Sequence, residues 1–238
     1  MAVSVTKENY VLHRIHSLTG VAPVGYYMVQ HLALNTFAIG GPEKFNGVIE
    51  FFEGMPKHFL LTMEIAMIWL PLAFHAIYGL FIVSRAEKNY FTTQYKWSQN
   101  KMFYLQRMSG LVVFIFLIYH VISTTGYKYV TGNAEAIKYD AWYAKLHNPL
   151  WLMVYVVGIL AASYHLGYGL WNFCIRWGIT VSEAAQARIQ KISGAVFVAI
   201  TLMGWAALAG FFLHKPLGTG AAAAEVQGQN GTNISLQR

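Results

Sequence analysis

Residues 59–83 read FLLTMEIAMIWLPLAFHAIYGLFIV and contain a single charged side chain, Glu64. A run of about 20 apolar residues is long enough to cross the hydrocarbon core of a bilayer as a helix. An ionisable side chain inside such a run is costly and usually marks a functional site. The stretch therefore predicts a membrane helix and singles out its histidine, His75. Pro71, four residues earlier, predicts a kink in this helix.

Four further stretches have the same character. The chain of 238 residues is 56% hydrophobic and only 11% charged, whereas soluble domains carry about 25% charged residues. A soluble helical bundle would also need polar stripes on its outer faces, and these stretches have none. We predict an all-α fold, residues 1–214, with five transmembrane helices and a flexible tail rich in Gly, Ala, Asn and Gln at 215–238. The five predicted spans are Leu18–Ile39, Phe59–Val83, Gly110–Tyr127, Leu150–Ile175 and Ser193–Leu213.

Each of the first four predicted spans contains one histidine: His31, His75, His120 and His165. Neutral imidazole is a common axial ligand of haem iron, so four such side chains predict two bis-histidine sites and two b-type haems. The single cysteine, Cys174, excludes covalent c-type attachment and cysteine-ligated clusters within this chain. The alternative from another class is a haem-free transporter that uses intramembrane histidines as proton sites.

The distribution of basic residues predicts the orientation. The segments after the second and fourth spans hold eight Lys and Arg residues, against five in the segments after the first and third. By the positive-inside rule the N-terminus and the two more basic segments are cytoplasmic, and five spans place the C-terminus outside. The segment before the first span is polar and lacks the pattern of a cleavable signal peptide, so we expect that span to be retained. The basic segments are either a topology signal alone or a docking surface for an acidic partner.

Orientation and helical rise pair the histidines by depth. His31 and His120 lie roughly 15–16 Å past the inner boundary of their helices, and His75 and His165 lie roughly 22–24 Å from the outer boundary. In a core of roughly 30 Å, the second pair is about 6–8 Å from the inner face. We therefore predict His75 with His165 on the inner haem and His31 with His120 on the outer haem, stacked across the membrane.

A short repeat surrounds the two inner histidines. Tyr78 and Gly79 follow His75 by three and four residues, and Tyr168 and Gly169 follow His165 in the same way. On a helix these positions share the histidine's face. The glycines would let a porphyrin approach the backbone, and the tyrosines would reach its edge. Helix packing through small residues is the alternative, and we favour the haem interpretation because the pair recurs beside a buried histidine.

Cations and small hydroxyl residues precede the odd-numbered spans. They predict partners for haem propionates, with interfacial anchoring as the competing interpretation for each. These residues are Arg14, Ser17, Arg107, Ser109, Arg188 and Lys191.

Glu64 lies one turn into the second span, near the predicted outer face. It predicts a proton relay for a quinone site there. The alternative is a carboxylate that reaches the nearby interface.

One axial histidine on each of four helices, followed by a fifth helix, resembles the dihaem cytochrome b anchor of succinate:menaquinone reductases and quinol:fumarate reductases. The resemblance covers roughly residues 10–213, including HRIHSLTG at 13–20 and the two HxxYGL segments. It is closest to the single-subunit Bacillus-type anchor, in which the ligand pairing is the one predicted above from depth.

The resemblance implies partners, cofactors and a location. It implies a flavoprotein with FAD and an iron–sulfur subunit on the cytoplasmic face, menaquinone or another quinone as electron carrier, and a multi-pass protein of the bacterial plasma membrane. It implies no nucleic-acid partner and leaves a homo-oligomer of the complex open. The anchor subunit of a quinone-linked hydrogenase or formate dehydrogenase is the alternative within the same class.

Overall fold

The computed structural model describes residues 7–86 and 98–218, and within those residues the chain is helical and contains no strand. Lys88 and Lys96 of the basic segment, and the tail from 219 onward, lie outside the described residues. The α-helices are α1 Lys7–Val21, α2 Pro23–Asn35, α3 Pro42–Glu53, α4 Lys57–Glu64, α5 Leu70–Arg85, α6 Ser98–Val121, α7 Tyr127–Thr131, α8 Tyr139–Leu146, α9 Pro149–Arg176 and α10 Glu183–Gly210.

Four helical segments are long and apolar enough to cross a membrane: Lys57–Arg85, Asn100–Thr131, Pro149–Arg176 and Glu183–Gly210. They coincide with the second to fifth predicted spans. The first predicted span instead contains the end of α1 and all of α2, which are 15 and 13 residues long. The break falls at Pro23, whose nitrogen has no hydrogen to donate to the preceding turn. Ala22 keeps right-handed helical dihedral angles, so α2 continues from α1.

Two π-helical segments interrupt the second and third helices. Ile65–Trp69 separates α4 from α5, and Ile122–Gly126 separates α6 from α7. The first lies directly before Leu70 and Pro71, so the irregularity expected at the proline occurs on its N-terminal side as a widened turn. Such segments are frequent at functional sites. Here one begins immediately after Glu64 and the other two residues after His120.

The bundle is organised around α9, which packs against α1, α6 and α10, while α5 packs on α1 and α10 on α2. The most buried apolar side chains lie at one end, where the short helices α3 and α8 meet α9 and α10. There the buried hydroxyl of Tyr139 donates to the carbonyls of Gly210 at 3.1 Å and His214 at 3.2 Å. The side chains of this cluster are Ala38, Phe45, Tyr139, Leu146, Tyr155, Ile159, Leu208 and Phe211.

Candidate functional site: two histidine pairs

The first pair joins α5 to α9. The ring centroids of His75 and His165 are 6.1 Å apart, and the ring planes are inclined at 81°. His75 lies ten residues before Arg85, where α5 ends. His165 lies eleven residues before Arg176, where α9 ends. The two side chains therefore sit at similar distances from the same end of the bundle.

Backbone carbonyls of neighbouring helices hold both rings of this pair. His75 Nδ1 lies 2.8 Å from the carbonyl oxygen of His16, and His165 Nδ1 lies 3.1 Å from that of Gln106. A carbonyl can only accept, so in both rings the proton is on Nδ1. This hydrogen bond fixes the tautomer and leaves Nε2 with a free lone pair, as a metal-ligating histidine requires.

Glycines make room for these two rings. A Cβ built on Gly110 would lie 2.9 Å from His165 Cε1. A Cβ built on Gly20 would collide with the ring of His75. The predicted glycine positions Gly79 and Gly169 face other groups, because their Cβ positions lie 3.2 Å from His16 Nε2 and 3.3 Å from Gln106 Nε2.

The second pair joins α2 to α6. The ring centroids of His31 and His120 are 5.9 Å apart, with the planes inclined at 76°. His120 Nδ1 is within 3.2 Å of the hydroxyl of Tyr155 on α9. Tyr27 stacks on His31 with centroids 5.5 Å apart. Following the orientation predicted from the sequence, we call His75 and His165 the inner pair and His31 and His120 the outer pair. The outer pair has a tyrosine hydroxyl as partner where the inner pair has backbone carbonyls.

The geometry of both pairs fits a bis-histidine iron. Metal–imidazole bonds are about 2 Å long, so two bonds and the radii of two rings span a centroid separation of about 6 Å. The described residues contain no group of three or more His, Cys, Asp or Glu side chains placed to hold a metal ion. Each pair supplies two facing imidazoles, the number that a porphyrin iron leaves open for axial coordination.

Polar groups cluster beside the inner pair. Among the described side chains, His13 Nδ1, Arg14 Nε and the Tyr78 hydroxyl are buried without a hydrogen-bond partner. The rings of His16 and His75 stack with their centroids 4.1 Å apart, and the ring of His13 lies edge-on to that of Tyr78 with centroids 5.5 Å apart. Unpartnered buried polar atoms are costly and rare, so this cluster is suited to an anionic group such as a propionate.

Serines predicted from the sequence also reach this end. Ser17 Oγ donates to the carbonyl of Arg14 at 2.9 Å and accepts from Trp177 Nε1 at 3.0 Å. Ser109 Oγ donates to the carbonyl of Gln106 at 3.0 Å and lies 3.4 Å from His165 Nδ1.

Four further residues were predicted to lie around the haems: Tyr168, Arg107, Arg188 and Lys191. Tyr168 packs on Tyr164, with ring centroids 4.5 Å apart. Arg107 is half-buried on α6, whereas Arg188 and Lys191 are exposed on the first turns of α10.

A lysine lies near the outer pair. Lys145 Nζ donates to the carbonyl of Ser123 at 3.2 Å and sits 4.7 Å from the ring centroid of Trp142. Trp142 in turn lies 6.1 Å from the ring of His120. Burial lowers the pKa of Lys145. The outer pair thus has a partly desolvated cation nearby.

Glu64 is the last residue of α4, in the N-terminal part of the membrane-length segment Lys57–Arg85. Its carboxylate accepts a hydrogen bond of 2.8 Å from the hydroxyl of Tyr129 on α7. Glu64 is half-buried and Tyr129 is exposed. This hydrogen bond joins α4, which precedes the first π-helical segment, to α7, which follows the second.

The sequence did not predict His16 and Gln106 as partners of the inner pair. Both act through the backbone carbonyl, which any residue supplies. The available signal is positional, because each lies four residues before a glycine, Gly20 or Gly110, that lies against a histidine ring.

Comparison with known proteins gives one clear relative. The chain is 36% identical over 204 residues, 86% of its length, to the succinate dehydrogenase cytochrome b558 subunit of Bacillus subtilis, of which the match covers 98%. No family model matches the chain.

Proposed function

Because the chain belongs to the family of succinate dehydrogenase cytochrome b558 subunits, and is therefore the cytochrome b membrane anchor of a succinate:quinone oxidoreductase, we propose how it carries electrons. Two b haems lie one above the other in a five-span bundle. His75 and His165 ligate the inner haem, and His31 and His120 ligate the outer haem. Electrons pass between a partner subunit at the inner end and a quinone near the outer end.

The observation that carries this proposal is the pair of matched histidine contacts. In each, two rings from different helices face one another at about 6 Å and at a steep angle. In the inner pair both Nε2 atoms are left free by hydrogen bonds at Nδ1. Haem supplies reversible one-electron transfer in such a site, and the chain orients the ligands and surrounds the group with apolar helices.

Helical segments of membrane-spanning length account for four of the five proposed spans. We propose that α1 and α2 in succession form the remaining span, which is the first in the chain. The combined path from Lys7 to Asn35 is long enough to cross the bilayer. Pro23 removes one backbone hydrogen bond from this path, but Ala22 before it keeps helical dihedral angles. The first and third helices would then run outward and the second and fourth inward, with the N-terminus cytoplasmic and the C-terminus outside.

Partners follow from the anchor role. We assign a flavoprotein with FAD and an iron–sulfur subunit to the cytoplasmic face of a bacterial plasma membrane, because the chain belongs to a family of succinate dehydrogenase subunits. The dicarboxylate reaction belongs to those subunits. Menaquinone or another quinone would exchange electrons with the outer haem. Glu64 would exchange protons with that quinone.

Haem content tests the proposal directly. The purified chain should show a Soret band and two b haems per polypeptide, whereas a haem-free transporter would show none. Replacing His75 or His165 with Leu should remove one and the same haem, and replacing His31 or His120 should remove the other. Loss of a common haem in the His75 and His31 variants would contradict the pairing.

A further inference from the structure

The turn between α9 and α10 carries two exposed apolar side chains. Ile179 is 62% exposed and Val181 is 82% exposed. They lie beyond Arg176, which ends α9, and before Glu183, which begins α10. Both side chains therefore project past the ends of two spanning helices, on the side that the proposed orientation assigns to the cytoplasm.

The backbone of this turn is held in one conformation. The amides of Ile179 and Thr180 both donate to the carbonyl of Cys174, at 2.9 and 3.2 Å. Gln186 Nε2 donates to the carbonyl of Thr180 at 3.3 Å, and Gly178 supplies the left-handed residue at φ 69°. A surface that is already ordered loses little conformational entropy when a partner binds.

Trp177, which precedes Ile179 by two residues, contributes an aromatic ring to the same turn and contacts α1. The guanidinium of Arg14 lies 4.7 Å from the ring centroid of Trp177 and 5.0 Å from that of Tyr10, which is 50% exposed. We call Tyr10, Arg14, Trp177, Ile179 and Val181 the inner patch. An apolar centre with aromatic and arginine side chains is typical of a protein interface.

The inner patch also borders the electron path. Trp177 bonds to Ser17, and the residue before Ser17, His16, holds the ring of His75 through its carbonyl. A subunit that exchanges electrons with the inner haem has to approach this end of the bundle. The patch is therefore continuous with the place where such a subunit must sit.

We propose that the inner patch is the docking site of the iron–sulfur subunit, with Val181 and Ile179 packed against apolar side chains of that subunit. This inference rests on the proposed function, since it takes the orientation and the partner from it.

The test uses the whole complex, expressed with all its subunits and purified from membranes in mild detergent. Val181→Asp places a charge against these apolar side chains, and Val130→Asp is the matched control, because Val130 is 87% exposed but lies on α7 at the opposite end. We expect Val181→Asp to retain about tenfold less flavoprotein and iron–sulfur subunit, with haem absorbance per chain unchanged. Val130→Asp should retain both subunits.

Each outcome has one meaning. Normal subunit ratios in Val181→Asp would overturn the docking site, including the case in which the patch contacts lipid headgroups. If only Val130→Asp lost the partner subunits, these subunits would bind at the opposite end of the bundle, and the proposed docking site would be wrong. If the unaltered complex carried no haem, the proposed function would fail first. If haem absorbance fell in Val181→Asp, the milder Val181→Ser would be purified in the same way and its ratio of partner subunits to this chain measured. A lowered ratio would support the docking site, and a normal ratio would overturn it.

Discussion

Gly110 lies directly against the ring of His165, so close that a Cβ on the glycine would be 2.9 Å from His165 Cε1. The reason lies in the helix backbone. The carbonyl that accepts from His165 Nδ1 belongs to Gln106, four residues earlier. Side chains in a helix tilt toward its N-terminus, so a side chain at position 110 would cover that carbonyl. Glycine leaves the carbonyl open to the imidazole.

Gly110→Ala is therefore expected to remove the inner haem while leaving the outer one. The added methyl group forces His165 away from the Gln106 carbonyl, at a cost of about 1–3 kcal/mol for overpacking. Reduced-minus-oxidised spectra and electron paramagnetic resonance of the purified variant would show the loss of one of two b-haem signals.

Gly194→Ala is the matched control for this experiment. Gly194 also lies inside a helix, α10, but a Cβ there meets no atom within 4 Å. The substitution should preserve both haems and raise helix stability slightly, since alanine is favoured over glycine by about 1 kcal/mol. Equal haem loss in the two variants would mean that the Gly110 contact is not what holds His165.

Run length predicted the four apolar helices that the described residues contain. Helical rise predicts from depth alone that His75 pairs with His165 and His31 with His120, and in the structure the rings of each pair lie about 6 Å apart. The carbonyl acceptors at His16 and Gln106 left no side-chain signal. Pro23 divides the first predicted span, an effect of one missing amide hydrogen that hydropathy does not register. Of the predicted surround, Ser17 and Ser109 meet the inner site, whereas Arg188 is exposed on α10.

Lys145→Met should lower the midpoint potential of the outer haem. Reduction of ferric haem removes one positive charge, and a nearby cation favours the reduced state. Removing the cation from a partly desolvated site destabilises the reduced haem, relative to the oxidised haem, by about 0.5–1.5 kcal/mol. This difference corresponds to a fall in midpoint potential of about 20–60 mV for one electron. A spectroscopic redox titration measures the midpoint potentials of both haems in one sample. The potential of the inner haem should stay unchanged.

Lys138→Met controls for the removal of a lysine from the same outer connection. Lys138 pairs with Glu135 at 2.7 Å, next to an exposed carboxylate, so its removal should leave both potentials unchanged. A shift confined to the inner haem in Lys145→Met would show that Lys145 faces the other site.

Glu64→Gln should lower quinone-linked turnover strongly, since the amide keeps the shape of the side chain but cannot take up a proton. Unchanged turnover, with both haems present, would remove Glu64 from the proton path. Haem reduction by succinate should persist in the variant, because that step lies on the other side of the outer haem.

Tyr129→Phe tests whether the hydroxyl that donates to Glu64 contributes to this step. Removing the 2.8 Å hydrogen bond from this exposed tyrosine costs about 0.7–1.4 kcal/mol, within the ordinary net value of a hydrogen bond, so turnover should fall about 3- to 10-fold as the carboxylate loses its fixed position. Tyr127→Phe, on the same helix, is the control and should have no effect. In the Glu64→Gln background Tyr129→Phe should cause no further loss, since the two residues would act as one unit. Additive losses would instead assign Tyr129 a role separate from Glu64.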